Sequence, residues 1–566
     1  MSLTGAEVVW KVLESEGVEV VFGIPGGAIM PVYDALLKSN VRHVLMRHEQ
    51  GAGHAAEGYA QVTGRVGVCL TTSGPGATNL VTPLTDAMSD SIPLVAITGQ
   101  VSRAAIGSRA FQEAPVTRIV APITKAAWLV EDPDRLESIL QEAFRVAASG
   151  RPGPVLVDIP KDVQLAVAAY AGKSSRTLVK SPPLPPEAAL EAAVGLIRSS
   201  QRPVLYVGGG AVKSGASAEL FELATSQQVP VTTTLTARGA FPDGHPLSLG
   251  MPGMHGRYAA VMAMQRSDLL ICVGARFDDR VTGRLDGFAP EARVIHVDID
   301  RGEVGRLREV DVSLIGDARP ILAALSVKLG SNRPSRGEWL SQVDAWKEEV
   351  PFAYEQDEGT LKPQLVIERL SALLGPQTMV TAGVGQHQMW AAQLWRFEHP
   401  RRWASSGGLG TMGFAIPAAL GVKSAFPDRQ VLAIDGDGCF QMTCQELATS
   451  VSEGLPVVVA IVNNGHLGMV KQWQTLFHGG RHSEVGLGFD SPDYVRLAEA
   501  YGCVGIRVNS PEEVDDAILQ ALAFKNRTVV IDFQVDADEM CYPIIPAGRT
   551  NDEIDLGPVM GRVTVS

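Results

Sequence analysis

Two short polar motifs in the last third of the chain have the composition of a metal–phosphate site. Gly436-Asp437-Gly438 follows the apolar run 431–434, and Asn463-Asn464 closes the run 457–462, with room for one crossover helix (445–453) between them. If both runs are neighbouring parallel strands, a carboxylate and an amide oxygen converge on one hard cation such as Mg²⁺, and the glycines let phosphates approach the backbone. A lone Gly-Asp-Gly would more simply be a tight turn beside Asn caps, but the whole arrangement favours the metal site.

Glu49, in the segment Arg47–Ala60, is a second candidate for chemistry. It is either the first acid of a helix, stabilised by the helix dipole, or a proton-handling carboxyl in a dry site that raises its pKa. The residues alone favour the first interpretation.

Glycines and acids in the middle of the chain are compatible with a dinucleotide site, although the three glycines alone fit any tight turn. Gly208-Gly209-Gly210 follows one strand-like run, and Asp298 and Asp317 fall at the ends of two others. Glycines let a pyrophosphate approach the backbone, and an acid at a strand end can bind ribose hydroxyls. The alternatives are an ordinary tight turn and a degenerate domain that binds nothing.

Three further side chains have both a functional and a structural interpretation. Arg276 offers a planar fork for a substrate carboxylate, or it forms an ion pair with Asp278 or Asp279. Trp473 and Met412 are either walls of a binding pocket or ordinary core residues.

Helical and strand-like patterns alternate along the chain, which predicts parallel sheets covered on both faces. The fold class expected is therefore α/β, with three doubly wound parallel-sheet domains. Two linker-like stretches, 165–186 and 330–363, separate the units. The predicted domains are 1–165, 187–330 and 363–540, with a C-terminal tail at 541–566, and the first and last domains are possible distant copies. The predicted strands are 18–22, 66–71, 94–97, 155–159, 204–207, 269–273, 294–297, 431–434, 457–462 and 529–533.

Composition excludes several classes of function. A formal net charge of −13 argues against binding to nucleic acid or to an anionic membrane surface. We find neither a targeting segment nor an apolar run long enough to cross a bilayer. The six cysteines have no zinc-type spacing and are expected to be reduced thiols, so we expect a cytoplasmic protein.

The strand–GDG–helix–strand–NN arrangement resembles the signature of thiamine-diphosphate-dependent enzymes. The resemblance implies that Mg²⁺ is held by Asp437, Asn464 and the backbone carbonyl of His466. It also implies that Met412 bends the cofactor and that Gly410 binds its 4′-amino group. The residues that the resemblance assigns to thiamine diphosphate are Gln386, His387, Gly410, Met412, Gly436, Gly438 and Cys439.

In that family a glutamate at the position of Glu49 hydrogen-bonds the aminopyrimidine ring and promotes loss of the thiazolium C2 proton. Its site should be dry, with a raised pKa. The cofactor of the family lies between the first domain of one subunit and the third domain of another. The resemblance therefore implies a homodimer or a dimer of dimers.

Longer motifs resemble those of the acetolactate synthases in particular. The resemblance implies decarboxylation of pyruvate and transfer of the two-carbon unit to pyruvate or 2-ketobutyrate, in the synthesis of branched-chain amino acids. A small regulatory subunit with an ACT domain is implied as a partner. The motifs are 22–28 (FGIPGGA), 110–114 (AFQEA), 253–256 (GMHG), 274–280 (GARFDDR) and 468–473 (GMVKQW).

The same resemblance implies an FAD that takes no net part in redox chemistry. It assigns Arg276, Trp473 and Phe111 to the substrate. The substrate channel is expected to contain Gln112, Gly27 and Lys161, with Gln112 and the Gly27 amide stabilising an alkoxide. The region after Trp473 and the C-terminal tail are candidate lids. The residues implied for FAD are Gly208, Gly209, Gly210, Met254, His255, Gly274, Arg276, Asp298 and Asp317.

The chain also departs from the family pattern. Ser108 and Arg109 replace a Thr-Asp pair, and Ala126 replaces a His after Lys125. These exchanges leave substrate preference and regulation open. The rival functions are an FAD-dependent pyruvate oxidase, another thiamine-diphosphate carboligase such as a glyoxylate carboligase, which would lack Glu49, and a scaffold without activity.

Overall fold

The three sheets expected from the sequence are present. The structure, a computed structural model, describes residues 3–172, 182–330, 334–488 and 492–563. These residues form three six-stranded sheets in which neighbouring strands are parallel. The predicted α/β architecture is therefore confirmed. Parts of both predicted linkers, 173–181 and 331–333, lie outside the described residues.

The N-terminal unit contains a parallel sheet of order β3-β2-β4-β5-β7-β6. A short antiparallel pair, β1 with β8, joins the start of the chain to the end of this unit. Its strands are β1 Leu3–Thr4, β2 Val20–Gly23, β3 Arg42–Leu45, β4 Gly67–Thr71, β5 Leu94–Gln100, β6 Ala126–Leu129, β7 Pro154–Pro160 and β8 Val167–Ala168. Its helices are α1 Gly5–Ser15, α2 Met30–Ala35, α3 Glu49–Thr63, α4 Pro75–Thr78, α5 Val81–Ser89, α6 Val116–Val120, α7 Leu136–Ala148 and α8 Lys161–Leu165.

The middle unit has the sheet order β11-β10-β9-β12-β13-β14, whose order reverses at β9, as in dinucleotide-binding folds. Its strands are β9 Pro203–Val207, β10 Val231–Thr233, β11 Ser248–Gly250, β12 Leu269–Val273, β13 Arg293–Asp298 and β14 Val312–Ile315. Its helices are α9 Glu187–Ser199, α10 Gly209–Ser214, α11 Ser217–Gln227, α12 Tyr258–Gln265, α13 Asp279–Thr282, α14 Ala318–Leu329 and α15 Gly337–Glu349.

The C-terminal unit has the sheet order β16-β15-β17-β18-β20-β19. When only the strands of each six-stranded sheet are counted, this is the strand order of the N-terminal sheet. Its strands are β15 Met379–Ala382, β16 Trp403–Ser405, β17 Val431–Gly436, β18 Val458–Asn463, β19 Val504–Val508 and β20 Val529–Gln534. Its helices are α16 Pro363–Leu374, α17 Gln386–Leu394, α18 Ala415–Ala425, α19 Asp437–Thr443, α20 Glu446–Ser452, α21 Gly468–Phe477, α22 Tyr494–Ala500, α23 Val514–Ala523 and, in the tail, α24 Gly557–Val563.

Two local expectations differ from the structure. The crossover helix predicted at 445–453 is present as α20, but the connection also contains a second helix, α19, which begins directly at Asp437. The charged stretch 330–363 contains α15, whose buried residues Trp339, Val343 and Trp346 pack on the middle unit. Their spacing marks one face of a helix, which covers that unit although the rest of the segment is polar.

The N- and C-terminal units share one hydrophobic core, in which helix α3 packs directly on helix α18. A Cβ at Gly58 would lie 2.4 Å from the Ala418 carbonyl oxygen, and one at Gly421 would lie 1.9 Å from that of Ala55. The two helix backbones therefore meet without intervening side chains. This contact fixes helix α3, which begins at Glu49, relative to the C-terminal unit.

The tail after β20 packs on the middle unit. Nδ1 of His255 donates to the carbonyl oxygen of Pro543 at 3.0 Å, and the amide of Ile545 donates to that of Met254 at 2.8 Å. A lid role for the tail stays a prediction. Across the described ranges, no helix combines the length and apolar character needed to span a membrane. All six cysteines are free thiols, as expected.

Candidate active site

The predicted metal residues follow two adjacent strands of the C-terminal sheet. Gly436, the last residue of β17, pairs in register with Val462 of β18, which ends at Asn463, so Asp437 and Asn464 begin the segments that leave the same sheet edge. Asn464 donates from Nδ2 to Oε1 of Gln386 at 3.1 Å, and its Oδ1 accepts the His466 amide at 3.0 Å. The carboxyl ends of these strands thus carry the predicted metal-binding set.

Asp437 has the environment of a carboxylate that requires a cation. The residue is 2% exposed, and its Oδ2 atom has no hydrogen-bond partner among the described residues. Burial raises the pKa of Asp437 to about 7. An ionised carboxylate at such a position is destabilising unless a positive charge compensates it, so the donor set fits a bound Mg²⁺.

The residues predicted to bind the diphosphate begin helix α17 at the same edge. His387 is buried, which lowers its pKa to about 3, and its Nε2 has no hydrogen-bond partner in the described chain. A Cβ at Gly436 would lie only 2.8 Å from Nδ1 of His387, so a glycine is needed where β17 ends. Gln386 is anchored by a 2.8 Å hydrogen bond from its Nε2 to Oε1 of Gln472. Helices α17 and α19 therefore both begin at one place, with amides available for phosphate oxygens.

Met412 lies over the turn that contains Asp437. Its Cε is 3.4 Å from the position of an added Cβ at Gly438. Gly410 has a φ of +77°, a conformation that favours glycine. Cys439 is buried and donates from Sγ to the carbonyl oxygen of Val384 at 3.0 Å. The structure thus brings Met412 to the glycine turn that the sequence singled out.

The predicted catalytic residues gather at a second edge, in the N-terminal unit. Gly27 follows β2, Glu49 follows β3, Gln112 follows β5, and Lys161 follows β7, each after the carboxyl end of its strand. This is the edge of a parallel sheet at which ligands bind. Phe111 lies in the same loop as Gln112 and is 87% exposed.

Glu49 is the first residue of α3 and is partly exposed. Its Oε2 accepts a hydrogen bond from Nδ2 of Asn79 at 2.9 Å. Glu49 is therefore a helix-start carboxylate, as the first interpretation expected, and it remains accessible from outside its own unit. The dry site expected for it is not formed by this chain alone.

Gln112 has a strained backbone in the loop after β5. Its φ is +60°, which is uncommon for a residue with a side chain. A Cβ at Gly74 would meet Cβ of Gln112 at 2.9 Å, and one at Gly76 would be 3.5 Å from Oε1 of Glu49. The turn 74–76 therefore lies between the two predicted catalytic side chains.

A cavity of about 950 Å³ lies between the middle unit and the other two. It contains all nine residues predicted for FAD, together with Trp473 and Gly410. A Cβ at Gly210 would lie 2.7 Å from Cα of Gly274, so glycines keep the turn after β9 against the turn after β12. The cavity is large enough for an extended dinucleotide, and its glycine turn allows close approach of a pyrophosphate.

Arg276 and Trp473 face this same cavity from different domains. No described ion pair includes Arg276, and Asp279 is paired with Arg280 instead. The structural alternative for Arg276, an ion pair with a neighbouring aspartate, is therefore not present in this chain. A guanidinium and an aromatic wall are thus available together for a small carboxylic acid.

Several residues of the site escaped the sequence reasoning. Arg151 and Lys213 line the cavity, and burial lowers the pKa of Lys213 to about 8. Asn79 and Glu446 contact the turn around Glu49, since Glu446 accepts the amides of Arg47 and His48. Arg151 lies between Gly150 and Gly153 just before β7, and a cation in a glycine-rich turn could have been predicted to bind an anionic ligand. The other contacts join distant parts of the chain and leave no local pattern.

Comparison with known proteins covers all three units. The N-terminal TPP binding domain of thiamine pyrophosphate enzymes matches residues 3–119, the central domain matches 190–325, and the C-terminal TPP binding domain matches 383–533. The acetolactate synthase large subunit IlvB1 of Mycobacterium tuberculosis is 56% identical over 98% of this chain and 91% of its own length. The acetolactate synthase large subunit of Corynebacterium glutamicum is 53% identical, over 98% and 90%. A probable acetolactate synthase large subunit of Methanocaldococcus jannaschii is 44% identical, over 97% and 94%.

Proposed function

The chain belongs to the acetolactate synthase family of thiamine pyrophosphate enzymes, and we propose that it joins two 2-keto acids with loss of CO₂. Pyruvate loses its carboxyl group, and the remaining two-carbon unit is transferred to pyruvate or 2-ketobutyrate. The products are 2-acetolactate and 2-aceto-2-hydroxybutyrate, which serve the synthesis of valine, leucine and isoleucine. The observation that carries the proposal is that Arg276, Trp473 and Gly410 line one cavity.

The C-terminal edge is proposed to bind thiamine diphosphate through Mg²⁺. When bound, thiamine diphosphate stabilises the charge left on the carbonyl carbon as CO₂ departs. Asp437, Asn464 and the His466 carbonyl hold the metal, and the unpartnered Oδ2 of Asp437 supports this assignment. Gln386 and His387 bind the diphosphate. Gly436, Gly438 and Cys439 line the turn, while Met412 supports the bent cofactor and the Gly410 backbone binds its amino group.

Glu49 is proposed to hold a proton at Oε1 and share it with the aminopyrimidine ring of a cofactor bound by a second subunit. Its Oε2 is already engaged by Asn79, and its position at an exposed sheet edge supports a role across an interface. The active unit would therefore be a homodimer or a dimer of dimers. Assembly would also exclude water around the carboxyl group.

The acceptor 2-keto acid is proposed to bind between Arg276 and Trp473, which line the cavity, and Phe111 of the partner subunit, which lies in the same domain as Glu49. The guanidinium binds its carboxylate with two parallel hydrogen bonds. Gln112 and the Gly27 amide donate to the alkoxide that develops as the new bond forms. Lys161 follows β7, the neighbour of β5 in the sheet, and lines the approach to the same edge.

The large cavity is proposed to hold FAD, through the nine residues that line it. The paired glycine turns at 208–210 and 274 support a pyrophosphate there. Asp298 ends β13 and Asp317 follows β14, at the edge suited to ribose hydroxyls. FAD would take no net part in the redox chemistry. Arg151 and Lys213 add positive charge to the same cavity.

We also propose a regulatory partner and a cellular compartment. The relatives above are named large subunits, which supports a small partner subunit, and an ACT domain is the expected type. The six free thiols fit the reducing cytoplasm.

The test is product analysis with purified protein, Mg²⁺ and thiamine diphosphate. Pyruvate alone should give 2-acetolactate, and added 2-ketobutyrate should give 2-aceto-2-hydroxybutyrate, with FAD improving stability rather than being consumed. Bleaching of the flavin by pyruvate with formation of acetyl phosphate would instead identify a pyruvate oxidase. Failure to consume pyruvate under every condition would reject both.

A further inference from the structure

Segment 406–411, between strand β16 and helix α18, is held by carboxylates of the N-terminal unit. We call it the glycine loop. Asp90, just after α5, accepts the Gly407 amide on Oδ2 at 2.7 Å and the Gly408 amide on Oδ1 at 2.8 Å. Asp90 is 8% exposed, so these hydrogen bonds are largely shielded from water. Both oxygens of one buried carboxylate thus fix two consecutive peptide groups.

A second carboxylate acts on the other half of the glycine loop through a hydroxyl group. Ser406 donates from Oγ to Oδ1 of Asp86 at 2.8 Å. The same Oγ accepts the amides of Gly410 at 3.0 Å and Thr411 at 2.9 Å. Ser406 and Asp86 are each 1% exposed. The hydroxyl group uses its donor and both acceptor positions, so its orientation is set by Asp86.

The glycine loop has no room to shift. A Cβ at Gly408 would lie 2.9 Å from Oδ1 of Asp90, and one at Gly407 would lie 2.5 Å from Cγ2 of Thr236 in the middle unit. All three units therefore meet at these two glycines. Movement of the loop away from α5 would break three hydrogen bonds to buried carboxylate oxygens, two on Asp90 and one on Asp86, and a buried group left without its partner is costly.

The glycine loop also separates two proposed binding sites. Residues 406–410 line the large cavity together with the glycine turn 208–210. At its other end the loop leads to Met412, whose Cε lies next to Gly438 in the turn proposed to hold the diphosphate. The loop is thus one wall of the proposed flavin site and the support of the proposed pyrimidine contact at Gly410.

We propose that Asp86 and Asp90 are positioning residues that hold the glycine loop as one rigid wall shared by the two cofactor sites. The identity of the cofactors rests on the proposed function. Because the two attachments hold one continuous segment, loss of either weakens the binding of both FAD and thiamine diphosphate. Asp90, which also lines the large cavity, acts through the backbone amides of Gly407 and Gly408, and Asp86 acts through Ser406.

The test compares Asp90→Asn and Ser406→Ala in the full-length holoenzyme. Asp90→Asn keeps the shape but replaces one acceptor oxygen by a donor, and Ser406→Ala removes the hydroxyl group that joins Asp86 to the loop. Asp516→Asn makes the same chemical change at an exposed position of α23 and is the matched control. Hydrogen exchange of the amides at 407, 408, 410 and 411 reports the loop directly. Affinities are measured by flavin fluorescence for FAD and by protein fluorescence for thiamine diphosphate with Mg²⁺.

We expect each test variant to weaken both cofactors roughly tenfold or more and to speed amide exchange in the whole glycine loop, because a buried hydrogen-bond group loses its partner. Asp516→Asn should change neither. Unaltered affinities, or weakening of only one cofactor by each variant, would overturn the proposal. If Asp90→Asn does not fold, Asp86→Asn takes its place beside Ser406→Ala.

The two proposals fail in different ways. Wild-type protein that binds neither cofactor would reject the proposed function, and the positioning role with it. Wild-type protein that binds both, with variants that bind both equally well, would reject only the role of Asp86 and Asp90.

Discussion

Asn79 donates a hydrogen bond from Nδ2 to Oε2 of Glu49 across 2.9 Å. Asn79 directly follows helix α4, so this contact joins the segment after β4 to the start of α3. One oxygen of the carboxyl group is therefore engaged within its own domain. Oε1 is the atom left to share a proton with a bound cofactor under the proposed function.

Replacement of Glu49 by glutamine is expected to remove most of the activity while the fold is kept. Glutamine can still accept the bond from Asn79, but it cannot carry the shared proton. Loss of such a group lowers turnover about 10²–10⁴-fold. The measurement is the rate of 2-acetolactate formation, with circular dichroism to check folding. Glu131→Gln, at an exposed position of the same domain, is the control. Wild-type activity in the Glu49 variant would refute its assigned role.

Asp437→Asn is expected to abolish the binding of Mg²⁺ while the protein still folds. Above its raised pKa of about 7, Asp437 is an ionised, buried group whose Oδ2 has no partner in the described chain. The neutral variant should therefore unfold at the same or a higher temperature than the wild type when no ligand is added. Mg²⁺ with thiamine diphosphate should raise the unfolding temperature of the wild type but not of the variant.

Asp516→Ala, on the exposed surface of the same domain, is the control and should keep the ligand-induced shift. Tight retention of Mg²⁺ and cofactor by Asp437→Asn would contradict the metal assignment.

Glu446 is expected to make stability depend on pH. Burial raises its pKa to about 7 from a usual value of 4.5, despite its hydrogen bonds from Thr449, Arg47 and His48. Its contribution to stability is therefore fully present below pH 4.5 and is lost as the pH rises through about 7. The shift corresponds to ~3 kcal/mol in the free energy of unfolding.

Urea unfolding of the wild type and Glu446→Gln across this pH range measures the effect. The stability of the wild type should fall relative to that of the variant as the pH rises. Glu499→Gln, an exposed position on α22, should parallel the wild type. If the free energy of unfolding of Glu446→Gln depends on pH in the same way as that of the wild type, the titration of Glu446 does not control stability.

The sequence predicted the parts of the site that depend on local pattern. Each predicted apolar run forms a parallel strand, and the carboxyl end of a strand fixes where the next residues lie, so Asp437 was placed at a sheet edge correctly. Glu49 was placed only at a possible helix start, because strand β3 before it is not among the predicted runs. The shared cavity of Arg276 and Trp473 could be expected only from the family resemblance. Neither residue has a local pattern that points to the other.

Contacts between distant segments could not be predicted. Asp86 meets Ser406 across 320 positions, and Glu446 meets His48 across 398. An acid in an amphipathic helix has the same local pattern whether it faces water or a loop of another domain. The packing of α3 on α18 decides this, and it depends on backbone contact at Gly58 and Gly421.

Gly274→Ala is expected to weaken FAD binding. Gly274 has a φ of +57°, and an added Cβ would lie 2.6 Å from Cα of Gly210. The side chain would therefore push the glycine turn of β9 into the cavity as well as strain its own backbone. Flavin fluorescence should show faster release of FAD. Gly195→Ala is the matched control, because it lies in helix α9 with nothing within 4 Å of the added carbon. Equal FAD affinity in the two variants would contradict the proposed flavin site.

Trp473→Leu is expected to lower the preference for 2-ketobutyrate over pyruvate as acceptor. Trp473 lines the cavity from α21, opposite Arg276 of the middle domain, and its ring can cover one additional methylene of the acceptor. Burial of one methylene contributes about 0.8 kcal/mol, so the product ratio should change about fourfold. The measurement is the ratio of 2-aceto-2-hydroxybutyrate to 2-acetolactate when both acids compete. Trp346→Leu, buried on α15 away from the cavity, should lower stability and leave the ratio unchanged. An unaltered ratio in Trp473→Leu would show that the acceptor is selected elsewhere.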